Sequence, residues 1–170
     1  MGKLLVAFVL GAVAVPVAWI IAAFMGWLPV EATADPPPWE AKLAHRALEA
    51  SLEGRASRIE SAMPSSDAAL LAGMKLYVNN CSGCHGRPGA PSDWGTKAFY
   101  PRVPQFAERP SNLEPAEMFI VVRHGVRYSG MGAWDDLMPD EDIWRVVAFL
   151  SSLRKLPPDV EALWTAKARG

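Results

Sequence analysis

Apolar and polar positions divide the chain into three stretches of different character. From Leu4 to Val30 no residue carries a charge, a run of 27 positions. A helix of about 20 residues already spans the roughly 30 Å hydrocarbon core of a bilayer, so this run predicts a membrane-spanning helix over residues 1–30. Pro16 is placed to kink it, and Trp19 and Trp27 are suited to its interfacial end. Ala32-Thr33-Ala34 resembles the small-residue site that follows a signal peptide. The apolar run, however, is longer than the roughly 7–15 residues of a signal core, so a retained anchor is expected. Lys3 is a single positive-inside signal, which puts the N-terminus in the cytoplasm and the remainder outside.

The second stretch, residues 31–66, opens with the proline-rich EATADPPP, a semi-rigid spacer that cannot continue a helix. Trp39, Leu43, Ala47, Leu48, Leu52, Ile59 and Met63 then fall near helical spacing. They predict an amphipathic helix over 39–63, weakest at Gly54, ended by Pro64 and packed on the domain that follows.

The third stretch, residues 67–156, has a compact helical pattern. Ser65, Ser66 or Asp67 can cap a helix DAALLAGMKLYVNN whose Leu70, Leu71, Met74 and Val78 share a face. Glycine and proline dominate from Gly83 to Pro110, predicting a long loop of the kind that needs something to wrap around. Asn112 with Pro115 and Glu117 starts a helix, EPAEMFIVVRHG, that stops at Gly125. A last helix, PDEDIWRVVAFLSSL, is acidic in its first turn and basic just past its end, and buries Ile143, Val147, Leu150 and Leu153. Residues 157–170 read as a tail with a short helix. No repeat and no strand pattern appears, and the fold class is all-α.

Composition adds little and excludes something. Seventeen Lys and Arg against eighteen Asp and Glu leave no case for nucleic-acid binding. The chemistry is concentrated in NNCSGCHGRPG, residues 79–89, which holds both cysteines and one of the three histidines. Zinc would need about four ligands, and there is no second Cys or His pair. A thioredoxin-like dithiol belongs on a βα unit, and the surroundings are helical. A disulfide across two intervening residues would close only a tiny loop. Cys-x-x-Cys-His is the pattern of covalent c-type haem attachment. Two thiols three residues apart can reach the two vinyl groups of one porphyrin edge, and the next residue can aim its imidazole at the iron. A haem also explains a long loop without a core of its own. For the sixth position of the iron the candidates are His124, Met131 and Met138. Of these Met131 lies in a glycine-flanked loop, YSGMGAW, that can present a soft thioether.

Taken together, GMKLYVNNCSGCHG, FYPRVPQF, EMFIVVRHGVRYSGMGAW and DEDIWRVVAFLSSL resemble, in order and spacing, the class I mono-haem cytochromes c in their membrane-anchored or oxidase-associated form. The resemblance covers about Asp67 to Leu156. It implies a cytochrome c fold around one covalent haem c, with thioether links to Cys81 and Cys84, His85 as proximal ligand and Met131 as distal ligand. It further implies that the backbone of Pro104 orients the proximal imidazole, with Pro101 as the alternative. Arg102, Tyr128 and Trp134 are implied contacts of the haem propionates or rim. The family most often has proline after the ligand methionine, where this chain has Gly132, and it assigns no role to Trp94 or to residues 39–63.

An iron held by histidine and methionine favours outer-sphere electron transfer over substrate chemistry. The expected function is therefore a single-pass carrier tethered to the bilayer through residues 4–30 of a bacterial inner membrane, its haem domain in the periplasm. Its expected partners are redox proteins: a terminal oxidase, a quinol-oxidising complex or a periplasmic dehydrogenase. The alternatives are a permanent cytochrome c subunit of a larger respiratory complex, or a haem enzyme or gas sensor whose distal ligand is labile.

Overall fold

A computed structural model describes residues 2–166. The chain divides at the Ala34–Asp35 boundary into two compact units. In the first, α1 (Gly2–Phe24) runs through Pro16 without interruption, with Lys3 as its one charged residue. Among the described residues it is the one helix long and apolar enough to cross a membrane.

The second unit is all-helical. Its elements are α2 (Pro38–Ala56), α3 (Asp67–Asn80), the single turns α4 (Ser82–His85) and α5 (Asp93–Lys97), then α6 (Pro115–His124), α7 (Asp140–Ser152) and α8 (Pro158–Ala166). No strand occurs among the described residues; one isolated bridge joins Arg87 and Ala90. Each start has a local cause. The Ser66 hydroxyl accepts from the Ala69 amide at 3.2 Å and caps α3. Pro115 opens α6 at a position that needs no amide donor, and the Glu117 carboxylate reaches back to the Glu114 amide at 2.9 Å. Three carboxylates in the first turn of α7 sit where its dipole is positive.

The core forms where α3, α6 and α7 meet. α7 buries seven of its residues, Ile143, Trp144 and Val146–Leu150, a wider band than the predicted stripe, and Leu153 is half-buried. Gly73 lets α3 lie directly on α7: a Cβ there would fall 2.0 Å from the Arg145 carbonyl oxygen. Phe149, fully buried, touches the rings of Tyr77 and Trp164 at centroid distances of 5.8 and 5.1 Å. Trp164 and Val160 bring the short α8 into the same core, which residues 67–156 alone would leave open. Of the tail, positions 167–170 lie outside the described residues.

Two features differ from the sequence expectation. The amphipathic helix ends at Ala56, not Met63. Beyond Ser57 the amides of Arg58 and Ile59 bond back only three residues, and Ile59 turns onto the core instead of continuing the helical row. The glycine- and proline-rich loop also contains two helical turns, α4 and α5, too short to leave a periodic signal.

α2 packs on α6 and buries Leu52, which is 3% exposed. Leu52→Ala should therefore cost roughly 2–4 kcal/mol in denaturant unfolding of the second unit, as large-to-small core changes do. A loss below about 0.5 kcal/mol, the surface-site level, would show that α2 is only a tether.

Candidate haem site

The cysteine–histidine stretch is the corner between α3 and the loop beneath it. The Cys81 amide still bonds to the Tyr77 carbonyl at 2.8 Å, closing α3. The amides of Cys84 and His85 then both return to the Cys81 carbonyl, at 3.1 and 2.9 Å, and wind α4. Cys81 and Cys84 lie one turn apart, half-buried and not disulfide-bonded.

Tyr77 fixes this corner from inside. It is 1% exposed, and its hydroxyl donates to the carbonyls of His85 and Gly86 at 3.0 and 2.9 Å. Burial, and after it the charge of Cys81, holds the phenol proton well above its ordinary range, so Tyr77 stays a donor. The chain leaves the corner through Gly86, at φ +72°, a conformation that favours glycine.

The imidazole of His85 is held on two sides. Its Nδ1 lies 2.9 Å from the Pro104 carbonyl oxygen, so Nδ1 carries the proton and Nε2 keeps its lone pair. The ring stacks on Phe106 with centroids 4.7 Å apart and planes 13° from parallel. Burial lowers its pKa against the opposing effect of the Pro104 bond, which favours the neutral, ligating ring.

Cys81 has the opposite character from a redox cysteine. Burial, then the charge of Cys84, pushes Cys81 up to about 12, whereas reactive dithiols are held low. Among the described residues, Cys81, Cys84 and His85 do not converge with any acidic, cysteine or histidine side chain into a metal-ion cage. The arrangement is two free thiols on one turn with a neutral, oriented imidazole directly after them. These residues fit haem c.

Met131 lies, half-buried, in the loop after α6. Its carbonyl accepts from the Val126 amide at 2.9 Å and its amide donates to the Ser129 hydroxyl at 3.1 Å. The amides of Trp134 and Asp135 both bond to the Arg123 carbonyl, each at 3.1 Å, clasping the loop to the end of α6. It approaches the loop after α4 at Gly130, where a Cβ would fall 2.4 Å from the Phe99 ring. Gly132 has open space around its Cα.

The other sequence candidates are placed differently. Pro104 joins His85 through its carbonyl, and Trp134 packs its half-buried ring against the core. Arg102 donates to the carbonyls of Lys97 and Phe99, both at 2.9 Å, and pairs with Asp35 at 2.9 Å. Tyr128 is 92% exposed, at φ 61°, with the Arg127 guanidinium 6.0 Å from its ring centroid. His124 lies at the surface, its Nδ1 3.7 Å from a carboxylate oxygen of Asp135. Met138 is buried in the core. Trp94 meets Phe99 edge-on at 4.6 Å.

Sequence reasoning missed Tyr77, Ser92 and Gln105. Tyr77 sits one helical turn before Cys81, on the buried face, and Ser92 is the cap of α5. Gln105 follows Pro104 directly and carries no motif of its own.

Two free thiols and an oriented imidazole on this helical frame are the arrangement found in c-type cytochrome domains. Residues 68–150, just under half of the chain, match the family described as cytochrome c oxidase, cbb3-type, subunit III, and a domain of this type implies haem c. No curated protein is detectably similar to the chain. A chain of the Kuenenia stuttgartiensis reducing HAO-like protein complex is 19% identical over 56% of this chain and 49% of that one, with a TM-score of 0.37. The present chain thus spans about half the length of that protein.

Tyr77→Phe removes the shared donor and leaves two buried carbonyls unpaired. It should lower stability by about 1–3 kcal/mol, measured by thermal or denaturant unfolding, while the Phe149 and Trp164 contacts persist. No change would mean that the hydroxyl does not hold the corner.

Proposed function

We propose that residues 67–156 hold one haem c by thioether links to Cys81 and Cys84, with His85 and Met131 as axial ligands, and pass single electrons between respiratory partners. Residues 1–30 anchor the chain in the bacterial cytoplasmic membrane in a single pass, residues 31–66 form the spacer and docked helix, and the haem domain faces the periplasm. Residues 157–170 form a tail whose helix completes the core. The observation that carries this reading is the His85 imidazole, bonded at Nδ1 to the Pro104 carbonyl and stacked on Phe106, which leaves the Nε2 lone pair available to a metal.

When bound, haem c supplies one-electron exchange at iron. The chain's residues determine its setting. Pro104 fixes the His85 tautomer, the Phe106 ring limits its rotation, and the loop bonds around Met131 hold the thioether within a short, clasped segment. Arg102, Tyr128 and Trp134 are assigned to the propionates or rim. A histidine–methionine pair leaves no open coordination position and raises the potential relative to other axial sets.

The partners are redox proteins. The matched family is described as an oxidase subunit, and this favours a second form of the reading, in which the protein is a permanent cytochrome c subunit of a larger respiratory complex. Stoichiometric co-purification in mild detergent supports the subunit; a free monomer supports the carrier.

The charge pattern bears on the partner. Asp135, Asp136, Asp140, Glu141 and Asp142 form an acidic run, in which Arg123 pairs with Asp140 and Arg145 with Glu141 and Asp142, so two of its five charges are balanced within the domain. Arg87, Arg109 and Arg127 stand outside the ion pairs found among the described residues. They can steer an acidic partner site, and the electron-transfer rate should then fall as ionic strength rises from low to physiological. A rate independent of salt would remove steering.

Axial ligation is tested optically. The ferric protein should show the sulfur-to-iron charge-transfer band, and the ferrous protein should not bind carbon monoxide rapidly. Met131→Ala should abolish the band and open the iron to carbon monoxide. Rapid binding by the unaltered protein would instead indicate an enzyme or gas sensor with a labile distal ligand.

A further inference from the structure

Gln105 joins the two pieces of backbone that hold the proximal imidazole. Its side-chain Nε2 donates to the Cys84 carbonyl at 3.0 Å and to the Val103 carbonyl at 3.0 Å. Its Oε1 accepts from the Ser92 amide at 2.7 Å. Two carbonyls at one end and an N–H at the other fix the amide's orientation, because a flipped side chain would face oxygen with oxygen. All three partners lie on backbone, so the amide acts as a cross-link. It ties the His85 turn (Cys84) to the residues on either side of α5 (Ser92 and Val103).

The packing around it leaves little slack. A Cβ on Gly86 would fall 2.4 Å from Gln105 Oε1, and one on Gly95 would fall 2.1 Å from the Cys84 carbonyl oxygen. The Val103 amide is also bonded to the Gly95 carbonyl, at 3.2 Å. Pro104 lies between Val103 and Gln105 and offers no amide of its own, so its carbonyl is positioned through these neighbours.

We infer that Gln105 is a positioning residue for the proximal ligand: by clamping the Val103–Gln105 backbone to the Cys84 carbonyl, it sets the hydrogen bond from His85 Nδ1 to Pro104. The inference rests on the reading of His85 as the proximal ligand. Outer-shell partners of ligating histidines raise the basicity of the ring. A firmly held Nδ1–H···O bond makes the imidazole a stronger donor and favours the oxidised iron. Loosening the clamp weakens the bond and favours the reduced form.

The test is Gln105→Leu in the full-length, haem-loaded protein, with Leu52→Ala on α2 as a control that loosens the fold without touching the residues that hold His85. For Gln105→Leu the reduced-to-oxidised ratio at fixed applied potential should rise by about tenfold, ~59 mV for one electron. The paramagnetically shifted His85 Nδ1 proton should move and exchange faster with water. For Leu52→Ala stability should fall while potential and proton signal stay at their original values. If Gln105→Leu does not yield folded protein, the unaltered protein gives the answer. Both Gln105 amide protons should be slow to exchange and separately shifted; free exchange overturns the inference. An unchanged potential and His85 signal in Gln105→Leu also overturns it. If the haemochrome spectrum of the unaltered protein showed no c-type haem, the functional reading would fail instead. A covalent haem with an unresponsive Gln105 would leave that reading intact.

Discussion

The structure depends on the hydrogen bond between His85 Nδ1 and the Pro104 carbonyl. It joins the end of α4 to a loop that returns nineteen residues later, and it decides which ring nitrogen keeps its lone pair. Around it the chain has arranged support that is almost all backbone-directed. Tyr77 holds the His85 and Gly86 carbonyls from the core, Gln105 holds Cys84 and Val103 from the loop, and Phe106 covers the ring face. None of these supports is charged. They act by geometry and by exclusion of water, and together they hold the imidazole in one orientation.

The helices supply the frame for that corner. α3 and α7 approach closely because Gly73 has no side chain, and the ring cluster of Tyr77, Phe149 and Trp164 fills the space beside them. Tyr77 belongs both to this core and to the site, so packing and ligand geometry are coupled through one residue. α2, buried on α6 through Leu52, makes the segment after the proline spacer part of the domain. The ion pair of Asp35 with Arg102 ties the start of the second unit to the loop that carries Pro104.

Much of this was legible in the sequence because it rests on periodicity and on one dense motif. α3, α6 and α7 have regular apolar spacing, with a Ser66 cap on α3, a capping box on α6 and an acidic first turn on α7, and their extents follow. Residues 39–63 were harder: Ile59 fits a helical row as well as it fits a turn onto the core, and only tertiary packing decides. The turns α4 and α5 are shorter than any period. Within the site, Cys81, Cys84 and His85 announce themselves by spacing, whereas Gln105 acts through an amide reaching backbone partners thirteen and twenty-one residues away. No local pattern encodes such reach. Tyr128, which the resemblance assigns to the haem propionates or rim, is 92% exposed on a left-handed backbone, a conformation that no sequence pattern announces.

The central claim is that this corner carries haem through both cysteines. Mass spectrometry of a proteolytic peptide containing Cys81, Cys84 and His85, from protein matured with its haem-attachment machinery, tests it most directly. The account predicts a peptide heavier by one haem, with neither cysteine open to alkylation. A peptide of unmodified mass, with both thiols alkylated, would contradict it.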